Sequence, residues 1–134
     1  MRILIAIASA ALVLTAVDGA HAWAESAAPP EVPAGGRLVF ADNPAITDPH
    51  PMPIESWSRL AGEDAVAVNF TAGTPECNGV HATVAETADS VNVNLQGGTL
   101  SEAAGRMCIM LAVFGTLDVP LRAPLGDRRV LSAA

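Results

Sequence analysis

The chain of 134 residues contains no lysine, no tyrosine and only two cysteines, and its seven arginines face fourteen acids for a formal net charge of −7. Each shortage closes a class of function. Affinity for nucleic acid and for anionic lipid surfaces is built mainly from Lys and Arg, so a chain this acidic is a poor candidate for either. Cys77 and Cys108 are far apart in sequence, whereas redox-active pairs usually stand at C-x-x-C spacing. No G-x-S-x-G occurs, which removes the usual nucleophile turn of a serine hydrolase. Beyond the first residues no stretch holds a 3.6-residue apolar period over a dozen positions, and there is no internal repeat or heptad, so a helical fold is not expected.

What is present begins at the N-terminus. Arg2 precedes residues 3–17 (ILIAIASAALVLTAV), an uncharged and almost wholly apolar run, and Gly19, Ala20, Ala22 and Ala24 follow. A basic start, about 7 to 15 apolar residues and an A-x-A site form an export signal. Two overlapping triplets, 20–22 and 22–24, place cleavage after Ala22 or Ala24. Asp18 ends the apolar run short of the roughly 20 residues that a spanning helix needs, and no later stretch is long enough. Neither cysteine lies near a cleavage site, so lipid attachment is not expected. Arg2 and Asp18 leave with residues 1–22 and the net charge stays at −7. The expectation is a secreted or extracytoplasmic protein whose mature part, about 110 residues, fits one small domain. In an oxidising compartment two cysteines most simply form one disulfide, Cys77–Cys108. Closing that loop stabilises a fold by about 3–4 kcal/mol in the chain-entropy account.

Residues 23–53 carry seven prolines and read as an extended leader with one short strand at 37–41, because proline neither donates to a ladder nor sits inside a helix. Residues 54–134 read as a β domain. Val80, Ala82 and Val84 alternate with polar or small neighbours, as do Val91, Val93 and Leu95; Thr87, Ala88 and Asp89 between them complete a hairpin with one apolar face. Residues 64–71 place Val66, Val68 and Phe70 on one face, residues 54–60 alternate with a single helical turn as the rival, and Leu117, Val119 and Leu121 form another set. Residues 107–113 (MCIMLAV) are continuously apolar, the pattern of a central strand covered on both sides. Residues 128–131 close the chain, and only 100–106 have helical character. Seven or eight short strands at close spacing predict an all-β sandwich or small barrel.

Three stretches together, Ser56-Trp57, residues 71–80 (TAGTPECNGV) and residues 123–130 (APLGDRRV), resemble a group of small exported proteins of mycobacteria and related actinobacteria. A TGTPEC-like turn, a second cysteine and a closing PLGDR-type turn recur in that group. The resemblance implies export, one disulfide and a β-rich fold, and it implies no activity. The residues also make sense without it: Gly73 and Gly79 bracket the turn that presents Cys77, and Pro124, Gly126 and Asp127 are turn formers. Asp127 is placed to pair with Arg128 or Arg129.

No catalytic set emerges. Outside the first 22 residues the histidines are His50, in the proline-locked DPHPMP segment, and His81, on the polar register of the hairpin. An exported hydrolase or metal-dependent enzyme would use one of them with acids such as Glu55, Glu63, Asp64, Glu76 or Glu86. Asp48, His50 and Met52, with Met107 or Met110 if the fold brought one near, offer mixed metal donors, but the spacing matches no signature and no metal or other cofactor is expected. Asn69-Phe70-Thr71 is a glycosylation sequon inside a strand. The leading expectation is a non-enzymatic binding module that meets a protein or envelope component. Its candidate contacts are Trp57 as an anchor and Thr74, Pro75, Glu76, Asp127 and Arg128 on the turns. Protease inhibition by a disulfide-stiffened loop at 71–80 is the further alternative.

Overall fold

The computed structural model describes residues 28–134; the expected export signal and both candidate cleavage sites lie outside them. Eight strands form two sheets: β1 (Leu38–Phe40), β2 (Thr47–Pro51), β3 (Ser56–Arg59), β4 (Ala65–Ala72), β5 (Asn78–Glu86), β6 (Ser90–Thr99), β7 (Val113–Pro120) and β8 (Arg129–Ser132). One sheet has the order β1-β7-β4-β3; in the other, β6 pairs with β5 on one side and with β2 and β8 on the other. The expected sandwich is therefore present, and the barrel alternative is not, since neither sheet closes.

Alternation builds the core. Val66, Val68 and Phe70 of β4, Leu117 and Val119 of β7, and Val91, Val93 and Leu95 of β6 are all buried, and Trp57, Val80, Leu125 and Val130 pack with them. Asn92, Asn94 and Gln96 occupy the other register of β6. The hairpin runs in register from Asn78↔Thr99 to Glu86↔Val91, and Thr87 closes its turn, with the Thr87 N–H donating to the Ser90 carbonyl at 2.8 Å. The apolar faces of two amphipathic sheets can leave water only against each other.

The leader differs from its expected single strand. It supplies β1 to one sheet, in parallel with β7, and β2 to the other. Prolines at 49 and 51 are tolerated in β2 because it is an edge strand that needs few ladder donors; Asp48, at φ 50°, marks a bulge between Thr47 and His50. Further upstream, the Val32 N–H donates to the Trp57 carbonyl at 2.8 Å and the Trp57 N–H donates to the Pro30 carbonyl at 3.0 Å. These bonds cover the free edge of β3.

Residues 107–112 are not a buried strand. Strand β7 begins only at Val113, and Met107, Ile109, Met110 and Leu111 are exposed, Met107 and Met110 completely. The valines, leucines and phenylalanines already fill the space between the sheets, so this run has no second apolar surface to enter. Continuous apolarity without alternation marks a fully covered strand only where such a surface exists. The helical character expected at 100–106 reduces to one 3₁₀ turn, Ser101–Ala103, followed by Gly105 at φ 76°.

Candidate functional site: an apolar groove beneath a disulfide-tethered loop

Cys77 and Cys108 are bonded. Cys77 is buried where the β4–β5 turn ends; Cys108 is half-buried on the loop that leads into β7. The turn is closed by the Thr74 carbonyl, which accepts from the Cys77 N–H at 3.2 Å, the Asn78 N–H at 2.9 Å and Asn78 Nδ2 at 3.1 Å. The bond thus pins an exposed apolar loop to a rigid turn.

Between this loop and the sandwich lies a groove of about 730 Å³, within the range of small-molecule sites. Its walls are Ile109, Met110 and Leu111 from the loop, His50 from the edge strand β2 and Met52 just after it. Its floor includes Gly97, and the glycine is required there: a Cβ at that position would run into Met52 Sδ and stand 3.3 Å from His50 Nε2. No aspartate, glutamate or arginine lines the groove, so it offers apolar surface with a few neutral polar groups.

The two histidines do not converge. His50 pairs with Gly97, which pairs with Val80, a buried residue; His81 pairs with Gln96, one step along β6. Residues directly opposite share a face and successive residues alternate, so the imidazoles belong to opposite faces of the sheet. His81 Nδ1 lies 3.0 Å from Asp42 Oδ1, and that carboxylate also accepts from the Ala82 N–H at 2.9 Å. Asp42 thereby fastens residues 42–43 to the outer edge of β5. Among the described residues no group of three or more His, Cys, Asp or Glu side chains is placed to hold a metal.

The other candidate residues separate into structural and surface positions. Trp57 is only 7 % exposed, in the core with the valines, and Arg59 crosses its ring at 5.7 Å; it is no surface anchor. Arg128 pairs with Glu86 at 3.1 Å instead of with Asp127, and it donates to the carbonyls of Ala123 at 2.8 Å and Pro124 at 3.0 Å. Its guanidinium is the internal brace of the turn before β8. Asp127, Pro75 and Glu76 are exposed and Thr74 is half-buried. Residues 73–77 form a tight turn closed on its own backbone, unlike the extended segment that a protease cleft grips. Asn69 is buried, with Nδ2 donating to Ser56 Oγ at 3.0 Å, and offers no free amide for a glycan. Sequence reasoning overlooked Ile109 and Leu111 as surface residues, although an apolar run following a cysteine and a glycine turn was the available signal. Among the described residues no helix is long and apolar enough to cross a membrane. No protein-family model, no curated protein and no solved structure matches the chain.

Proposed function

We propose that the protein is an exported, non-enzymatic binding module that holds a small apolar ligand in the groove beneath residues 107–112. One observation carries this: Ile109, Met110 and Leu111, at least half exposed, line a groove of about 730 Å³ and are fixed there by the Cys77–Cys108 bond. Leaving large apolar side chains in water forgoes about 25 cal/mol for each Å² that a ligand would cover. Contiguous apolar surface of this kind marks a binding site, and a covalent tether lowers the ordering cost of using it. Export is supported by the apolar N-terminal run with its A-x-A sites and by a disulfide that needs an oxidising compartment.

Titration with Nile red, a neutral apolar fluorophore, tests the groove. Saturable binding of one dye per chain is expected, and the double substitution Ile109→Asp and Leu111→Asp weakens it by at least about tenfold, since each charge would have to be desolvated. Both positions are exposed, so the fold persists. Absence of saturable binding, or equal binding by the variant, would overturn the proposal.

A further inference from the structure

The same groove carries a second chemistry. His50 lies on β2, and Met52 directly follows the last residue of that strand, its N–H donating to the Leu95 carbonyl of β6 at 2.9 Å. Both reach over Gly97: a methyl group placed there would strike Met52 Sδ and lie 3.3 Å from His50 Nε2. The thioether sulfur therefore fills the space over the glycine, with the imidazole nitrogen beside it. Met110 lines the groove from the loop, with its side chain fully exposed and free to turn inward. In the chain these three residues match no metal signature; the fold supplies the proximity.

We propose that His50 Nε2, Met52 Sδ and Met110 Sδ form a site for a soft monovalent metal ion, Cu(I). All three donors are neutral, and thioethers select Cu(I) over hard divalent ions. The groove holds no carboxylate to compensate a divalent charge. Its two cysteine sulfurs are joined to each other and are not thiolates, so thioether and imidazole are the soft donors left in the groove. The apolar walls formed by Ile109 and Leu111 shield the ion from water. Met107, fully exposed but outside the groove, takes no part. The site shares the groove with the apolar-ligand reading but does not rest on it, because two of its three donors, His50 and Met52, lie outside the loop that carries Ile109 and Leu111.

Silver(I), which mimics Cu(I) without a reductant, is the probe for the purified, disulfide-bonded protein. Carbon-13 methionine-methyl NMR is expected to show one equivalent of Ag(I) shifting Met52 and Met110 but not Met107, with the His50 ring shifting in parallel. Competition against a chromogenic Cu(I) chelator under anaerobic conditions should place His50→Gln and Met52→Leu at least about tenfold weaker than the parent, the scale on which metal sites respond to altered ligation. His81→Gln should match the parent. Binding by His50→Gln or Met52→Leu within twofold of the parent, shifts at Met107 in place of Met52, or displacement of Ag(I) by equimolar Zn(II) would overturn the site. His50 is exposed, so His50→Gln folds and remains informative should Met52→Leu not fold. The parent protein separates the two proposals: failure to bind Ag(I) while Nile red still binds refutes the metal site alone, and failure to bind Nile red while Ag(I) still binds refutes the groove reading alone.

Discussion

Glu86 Oε1 accepts a hydrogen bond from Arg128 Nη1 at 3.1 Å, joining the end of the β5–β6 hairpin to the turn that enters β8. The side chains are only 13 % and 12 % exposed. Glu86 Oε2 accepts from the backbone N–H of Arg122 at 2.8 Å, and Oε1 also accepts from the Ala123 N–H at 3.3 Å. The Arg122 N–H is the largest cause holding the Glu86 carboxyl below its ordinary value of 4.5; burial opposes it, and Arg128 and the Ala123 N–H add to it.

From that relationship comes a pH dependence with a definite sign. A carboxylate whose folded pKa lies below its unfolded value contributes stability that is complete above the unfolded value and is lost as pH falls through the folded one. The contribution of Glu86 is therefore intact at neutral pH and fades below about pH 4.5. Glu86→Gln should cost about 1.5–3 kcal/mol at neutral pH, as hydrogen bonds to a charged group do, and should flatten the acid side of the stability curve. Urea midpoints measured at neutral pH and near pH 3 check both effects. Parallel curves for the two proteins would mean that the carboxylate is stabilised equally in the unfolded chain.

Gly115 of β7 governs a different part of the core. Phe40 and Phe70 meet edge to face with centroids 5.3 Å apart, and a Cβ on Gly115 would come within 2.7 Å of Cε2 of both rings. Gly115→Ala should destabilise the protein by about 1–3 kcal/mol through overpacking. Because Phe40 is the neighbour from the three-residue strand β1, Phe40→Leu combined with Gly115→Ala should cost less than the sum of the single changes. Thermal unfolding of the four proteins measures the coupling. Simple additivity would show that the rings can move aside.

Neither of these two sites was legible in the sequence, whereas the strands that carry them were. Alternation in Val66-Val68-Phe70 and Val91-Val93-Leu95 revealed the strands, because period-2 patterning is local and one face must be buried. The hairpin followed from the same pattern and its turn residues. The pairing of Arg128 with Glu86, 42 residues apart, depends on which sheet edge the last turn reaches, and no local pattern encodes that. Adjacency had favoured Asp127 instead. Residues 107–112 were misread for a related reason: an apolar run does not say whether a second surface is available to cover it. His50 and Met52 were visible as metal donors, but their meeting over Gly97 is a property of the segment 50–52 lying against β6.

The Cys77–Cys108 bond has a consequence that separates stability from binding. The sequence separation is 31, so reduction should lower stability by about 3–4 kcal/mol by restoring freedom to the unfolded chain. The ladders themselves do not need the bond. Asn78 pairs with Thr99, the Leu100 N–H donates to the Cys77 carbonyl at 2.8 Å, and β7 begins beyond the loop at Val113. The reduced protein should therefore keep the strand signal in far-ultraviolet circular dichroism while unfolding at lower temperature. The loop is another matter. Few contacts other than the bond hold Ile109, Met110 and Leu111 over the groove, since these side chains are largely exposed. Reduction, or the pair Cys77→Ser and Cys108→Ser, should weaken Nile red binding by at least about fivefold through loss of pre-organisation. Full dye affinity in a reduced but folded protein would show that the loop keeps its place without the tether, and the groove would then owe its shape to the strands alone.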